Sequence, residues 1–209
     1  MTSSIAPTPE APAAGHAAAG HAGSSGLAAE LASLDPVVLA QAEWPSTPGD
    51  VLPAIPGFVT STFSPLVAEV AQRCLRAFFG DPPAGPARGE RTAFVLASST
   101  GDLATSAAVA QAVGQERRVP PMLFYQSTPN AVAGYLTARW DLRGPVVCTV
   151  PLGDAMTDAR ACADLLISSG DADAALIIVA DQARGPHESD HAAALLIGPG
   201  SWTERDEST

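Results

Sequence analysis

The chain alternates short apolar runs with longer stretches in which apolar positions recur every three or four residues. Val37 to Trp44 is an apolar run of strand length, and Thr92 to Ser98, Val146 to Val150, Ala174 to Ala180 and Ala192 to Ile197 are four more. Between the first two, Val67, Val70, Cys74, Leu75 and Phe78 share one face of a helix that Ser64-Pro65 opens as cap and first residue and Gly80 ends. Asp102 caps a second helix running to Val113, Thr128-Pro129 opens a third to Trp140, and Asp154 caps a fourth to Ser169. The order is βαβαβαββ with one additional helix. Near-continuous apolar strands separated by helices predict an α/β fold with a mainly parallel five-stranded sheet and helices on both faces.

The last helix is the most informative. Met156, Ala159, Ala163, Leu166 and Ile167 make one apolar stripe, while Ala155, Cys162 and Leu165 cover much of the remaining circumference. A helix this apolar requires burial on two sides, which predicts a further layer beyond it, from this chain or another.

Composition sets the boundaries around this pattern. Residues 1–34 are dominated by Ala, Gly, Pro and Ser and predict a disordered tail, residues 35–200 one domain, and residues 201–209 a polar, frayed end. Gly80 to Pro86 reads as a loop inside the domain. A chain of 209 residues, 46% apolar and 16% charged, has room for a single globular core. Its net charge of -11 repels phosphate backbones and anionic lipid, so nucleic acid and membrane are poor partners. Cys74, Cys148 and Cys162 are far apart, sit in apolar runs and form no CxxC pair, so they read as reduced core residues of a cytoplasmic protein. The N-terminus lacks the basic and apolar regions of a secretory signal, and no apolar stretch approaches the ~20 residues that span a bilayer.

Four stretches carry a family resemblance: Ala93-Phe94-Val95-Leu96-Ala97-Ser98-Ser99-Thr100-Gly101-Asp102; Pro120-Pro121-Met122-Leu123-Phe124 leading to Thr128-Pro129-Asn130-Ala131-Val132-Ala133-Gly134; Trp140-Asp141-Leu142-Arg143-Gly144-Pro145; and Gly170-Asp171-Ala172-Asp173 followed by Ala174 to Ala180. In this order and on these elements, the segment from Val37 to Pro199 resembles the N-terminal half of β-ketoacyl synthases, which have a thiolase-like fold. It is most similar to the compact ketosynthase-like proteins that accompany full ketosynthases in polyene and polyketide pathways.

The resemblance implies where a nucleophile should stand. In condensing members a cysteine opens the helix nine positions after the glycine of the Gly-Pro pair; here that position is Gly153, and Pro151, Leu152, Asp154 and Ala155 around it include no Cys, Ser or Gln. The family's decarboxylating histidines and lysine belong to a C-terminal half that has no counterpart among these residues. The implied role is a non-catalytic subunit in fatty-acid or polyketide biosynthesis. It would associate with itself or with a ketosynthase and chain-length factor, with acyl carrier protein as a further partner. The docking surface expected from the resemblance comprises Val146, Val147 and Val150 on the strand with Met156, Ala159, Ala163 and Leu166 on the helix.

Two other chemical readings compete. Cys148 could serve a relocated acyltransferase or thioesterase, although it lies mid-strand, where burial raises a thiol's pKa. His187-Glu188-Ser189-Asp190-His191 matches H-E-x-x-H, a zinc pattern when both histidines lie on one helical face, with Glu204 or Glu207 as third ligand. The six residues before Gly198-Pro199 leave no room for that helix, so a polar loop between strands is expected. No G-x-S-x-G, P-loop or dinucleotide fingerprint occurs, and no cofactor is expected.

Overall fold

A computed structural model describes residues 36–185 and 187–203. The tail expected over residues 1–34 and most of the C-terminal one lie outside them. In chain order the elements are β1 (Val37–Trp44), α1 (Phe63–Phe79), α2 (Pro86–Gly89), β2 (Thr92–Ala97), α3 (Leu103–Gly114), α4 (Pro121–Gln126), α5 (Pro129–Trp140), β3 (Val146–Thr149), α6 (Ala155–Ser168), β4 (Ala174–Asp181) and β5 (His191–Gly198), closed by a 3-10 turn (Gly200–Trp202).

The strands form one sheet in the order β1-β5-β4-β2-β3. β2 is parallel to β3 and β4, while β5 is antiparallel to both β4 and β1. β1 therefore runs with β4, so four strands share a direction and β5 alone is reversed. Among the described residues between β4 and β5 there is no crossover helix, and β5 returns beside β4 in the antiparallel sense. The expected mainly parallel sheet holds in strand direction, with two of its four pairings antiparallel.

Two layers of helix cover the sheet unequally. Phe94, Leu96, Leu176, Ile178 and Leu196 project to one face, where Leu66, Val67, Val70, Cys74 and Leu75 of α1 and Val132, Leu136 and Trp140 of α5 fill the core. On the other face the sheet offers Ala93, Val95, Ala97, Ala175 and Ile177, and α6 lays Ala159 and Ala163 directly onto them. β2 and β4 are buried on both sides, which explains their unbroken apolar sequences.

The lead-in to β3 depends on Gly144. A Cβ there would lie 2.5 Å from the Thr92 carbonyl oxygen, so only glycine lets the chain pass this close to β2. The contact sets the register, and Phe94 N–H then donates to Pro145 O at 2.8 Å.

Several boundaries differ from the sequence expectation. α1 begins at Phe63, which puts Ser64 and Pro65 inside the first turn rather than at cap and first position. Proline is tolerated there because first-turn N–H groups have no intrahelical acceptor. Thr128 does flank α5, but its hydroxyl donates back to Tyr125 O at 3.0 Å instead of capping. The short helices α2 and α4 were not expected. β3 ends at Thr149, one residue before Val150. Ser201 and Trp202 belong to the folded domain, since the Trp202 ring stacks on Phe78 at 6.4 Å and the Arg88 guanidinium lies 5.5 Å from each ring centre.

Candidate functional site

The carboxyl ends of β2 and β3 bring the sequence-marked positions together. β2 leads towards α3 and, through α5, onto one face of the sheet, whereas β3 leads to α6 on the other; adjacent parallel strands whose connections diverge in this way leave a crevice between their ends. The crevice has a volume of about 430 Å³. Ser98, Ser99, Thr100, Asp102, Ser106, Asn130, Cys148 and Val150 line it, with no histidine among its lining residues.

The turn after β2 is held from β4. One oxygen of Asp181, Oδ1, accepts from the Ser99 and Thr100 amides at 2.8 and 3.0 Å and from the Ser98 and Thr100 hydroxyls at 3.1 Å. The next residue, Gln182, donates from Nε2 to the Thr62 and Ser61 hydroxyls and accepts from the Leu103 amide, tying the start of α1 to the start of α3. Asp102 caps α3 as expected, accepting from the Thr105 amide at 2.9 Å and the Thr105 hydroxyl at 2.8 Å. Both its oxygens are engaged, so this buried carboxylate offers no free base to the crevice.

The β3–α6 corner is where the resemblance places a nucleophile. Gly153 stands there, immediately before the cap residue Asp154, whose carboxylate accepts from the Thr157 amide and hydroxyl at 2.9 and 2.7 Å. Hydrogen bonds from Thr157 hold the Asp154 carboxyl below the usual carboxylate range. The Leu152 and Gly153 amides both donate to Asp158 Oδ2, at 2.7 and 2.9 Å. No reactive side chain occupies the corner, and its backbone donors already hold a carboxylate.

Cys148 is half-buried on β3 in register with Leu96, and burial pushes its thiol up from the ordinary value. It touches the crevice, but the one carboxylate lining it, Asp102, is held by Thr105, and the thiol lies away from the helix start. His187 sits exposed in a turn and His191 is the exposed first residue of β5, so the H-E-x-x-H pair shares no helical face. Among the described residues no group of three His, Cys, Asp or Glu side chains is placed to hold a metal. Glu204 and Glu207 lie outside those residues.

The expected docking set divides in two. Ala159 and Ala163 are fully buried against the chain's own sheet, because the small side chains let α6 settle onto β2 and β4; they are not available to a partner. Val147, Met156 and Leu166 are partly covered, whereas Val146 is 47% and Val150 67% exposed. Leu152 and Leu165, the latter 67% exposed, extend the outward apolar surface along the open edge of β3 and the outer side of α6. Sequence reasoning passed over Leu152, Asp158, Asp181 and Gln182; only the position of Asp181 at the end of an apolar strand hinted at a role.

A mixed five-stranded sheet with β5 reversed, helices on both faces and a strand-to-helix corner after a Gly-Pro lead-in is a ketosynthase-like thiolase fold. Solved structures agree. The chain is similar to one in a ketosynthase in complex with its chain length factor from Xenorhabdus doucetiae, at TM-score 0.61 and 18% identity over 79% of each chain. The ishigamide ketosynthase/chain length factor gives TM-score 0.61 at 19% identity, and a beta-ketoacyl synthase from Burkholderia phymatum 0.61 at 17%. This chain spans 50% and 54% of the length of those two, over 76% and 82% of its own. At such identities the likeness is one of fold. No family model matches the sequence, and no curated protein matches it.

Proposed function

We propose that this chain is a non-catalytic ketosynthase-like subunit of a fatty-acid or polyketide biosynthetic system, of the kind that makes a polyene or pigment, and that it acts by association with a full-length ketosynthase. The observation that carries the reading is the corner at Gly153, which lacks a nucleophile and where the Leu152 and Gly153 amides are bound to Asp158. Two features support association. β3 is an edge strand, bonded on one side only, with Val146, Val150 and Leu152 exposed along and beyond it. Such an edge pairs readily with another chain. A neighbouring solved structure, a ketosynthase with its chain length factor, also contains a chain matched over 79% of both lengths, hence of similar size to this one.

The test is co-expression with a ketosynthase and chain length factor pair of the kind this fold resembles, followed by size-exclusion chromatography. Co-elution is expected, and Val146→Arg/Val150→Arg should abolish it without lowering the melting temperature. A parent chain that never co-elutes refutes the assignment. The placement of Cys148 against the crevice keeps a second reading in play, a relocated acyltransferase or thioesterase. Intact-mass spectrometry after incubation with acyl carrier protein thioesters separates them, since that enzyme would show an acyl adduct lost in Cys148→Ser.

A further inference from the structure

We propose that Asp158 locks the β3–α6 corner, closing it to nucleophilic acyl chemistry independently of the missing side chain at Gly153. The inference rests on the non-catalytic reading above and adds a second residue to it. Asp158 lies in the first turn of α6, and its carboxylate reaches back over the helix start to take the Leu152 and Gly153 amides together at 2.7 and 2.9 Å. Asp154 takes the Thr157 amide, so two carboxylates of the chain itself already satisfy three donors at this helix start. Unpaired N–H groups at such a position are what favour a thiolate or a developing oxyanion. Here three of those donors are taken, the Leu152 and Gly153 amides by Asp158 and the Thr157 amide by Asp154.

Direction matters as much as occupancy. A Cβ built at Gly153 lies 3.9 and 4.0 Å from the two oxygens of Asp158, so a side chain at that position starts out facing the carboxylate. A thiolate or oxyanion there would be a further negative charge beside an existing one, which like-charge repulsion disfavours. Arg160, two residues further along α6, is engaged elsewhere, turned to Asp164 at 2.8 Å and to Pro36 O at 3.2 Å. Replacing Gly153 with cysteine therefore leaves a poorly reactive thiol, and Asp158 has to be removed as well to activate it.

The experiment places Gly153→Cys in a Cys148→Ser/Cys162→Ser background, with and without Asp158→Asn, and follows iodoacetamide alkylation of the new thiol by intact mass from pH 6 to 10. The thiolate sulfur displaces iodide, so the rate reports the thiolate fraction. Asp158→Asn is expected to raise the rate at pH 7 about tenfold, equivalent to one pH unit in the profile. Equal or slower alkylation in the Asn variant overturns the proposal. Asparagine keeps an acceptor for the two amides; Asp158→Ala in the otherwise unaltered chain supplies a second readout. Its Leu152 and Gly153 amides should exchange hydrogen at least tenfold faster, and unchanged protection overturns the lock. Co-elution of the parent chain with a ketosynthase is scored separately, so a failed association refutes the subunit reading while the alkylation rates still judge Asp158.

Discussion

Replacing Gly144 with alanine tests the register on which the geometry of the corner depends. The added Cβ would lie 2.5 Å from Thr92 O, 2.6 Å from Thr92 C and 2.8 Å from Ala93 N. All three are backbone atoms, and the shortfall from ordinary carbon contact is about 1 Å. Relief requires the lead-in to β3 to move away from β2 by a similar distance. The adjacent bond from Phe94 N–H to Pro145 O, now 2.8 Å, would then stretch beyond hydrogen-bonding range. Overpacking costs ~1–3 kcal/mol and the lost bond ~1 kcal/mol, giving a loss of roughly 2–4 kcal/mol. In a domain of this size that corresponds to a melting temperature about 5–15 °C lower. Urea denaturation supplies the free energy, and an unchanged slope would show that the unfolded state is not responsible. Gly134→Ala is the internal control, because that exposed glycine in mid-α5 has nothing within 4 Å of its added Cβ. It should stabilise by about 0.5–1 kcal/mol. If Gly144→Ala came within about 0.5 kcal/mol of the parent, the close approach and the register built on it would be refuted.

Asp102→Ala should cost about 1 kcal/mol by removing the cap of α3, measurable as a shifted urea midpoint, whereas Asp102→Asn should recover most of it; no shift in the alanine variant contradicts the cap. Burial pushes the Cys74 thiol up to about 12 and also raises Cys148, so at pH 8 iodoacetamide should label neither at the rate of a free cysteine until the chain is unfolded. Rapid native labelling of Cys148 would instead favour the relocated-enzyme reading. The Asp50 carboxyl lies well below the usual carboxylate range, chiefly because the Thr47 hydroxyl donates to it, with Ser46 and Arg73 adding to the effect. A lowered folded value stabilises above the unfolded value and is lost on acidification, so the stability advantage over Asp50→Asn should shrink as pH falls from about 4 towards 2. A gap that does not narrow would show that Asp50 does not titrate with folding.

The parts of this fold legible in the sequence are those where one local rule dominates. β2 and β4 read as strands because both faces are buried and nothing polar interrupts them. Asp102 and Asp154 read as caps because the contact spans three residues. Gly153 followed from counting along the Gly-Pro lead-in. What escaped depends on separation or on small size. Asp181 and Gln182 act on residues about 80 or more positions away, and no periodicity marks such pairs. Asp158 reaches five and six residues backwards across a turn, outside the usual capping span. α4 has six residues, too few to display a helical repeat, and tertiary packing decides it. The H-E-x-x-H string shows the converse: its residues fit a pattern whose helix the fold does not provide.

The paired methyls of Ala159 and Ala163 act as a spacer under α6. They set the height at which the helix rides above β2 and β4, and with it the position of the helix's exposed side. A valine or leucine at either place would lever the helix outward and displace the exposed side chains it carries, Leu165 among them, while leaving their chemistry unchanged. In the proposed association, the fit to one partner rather than another could therefore be tuned from beneath, by residues that the partner would never meet.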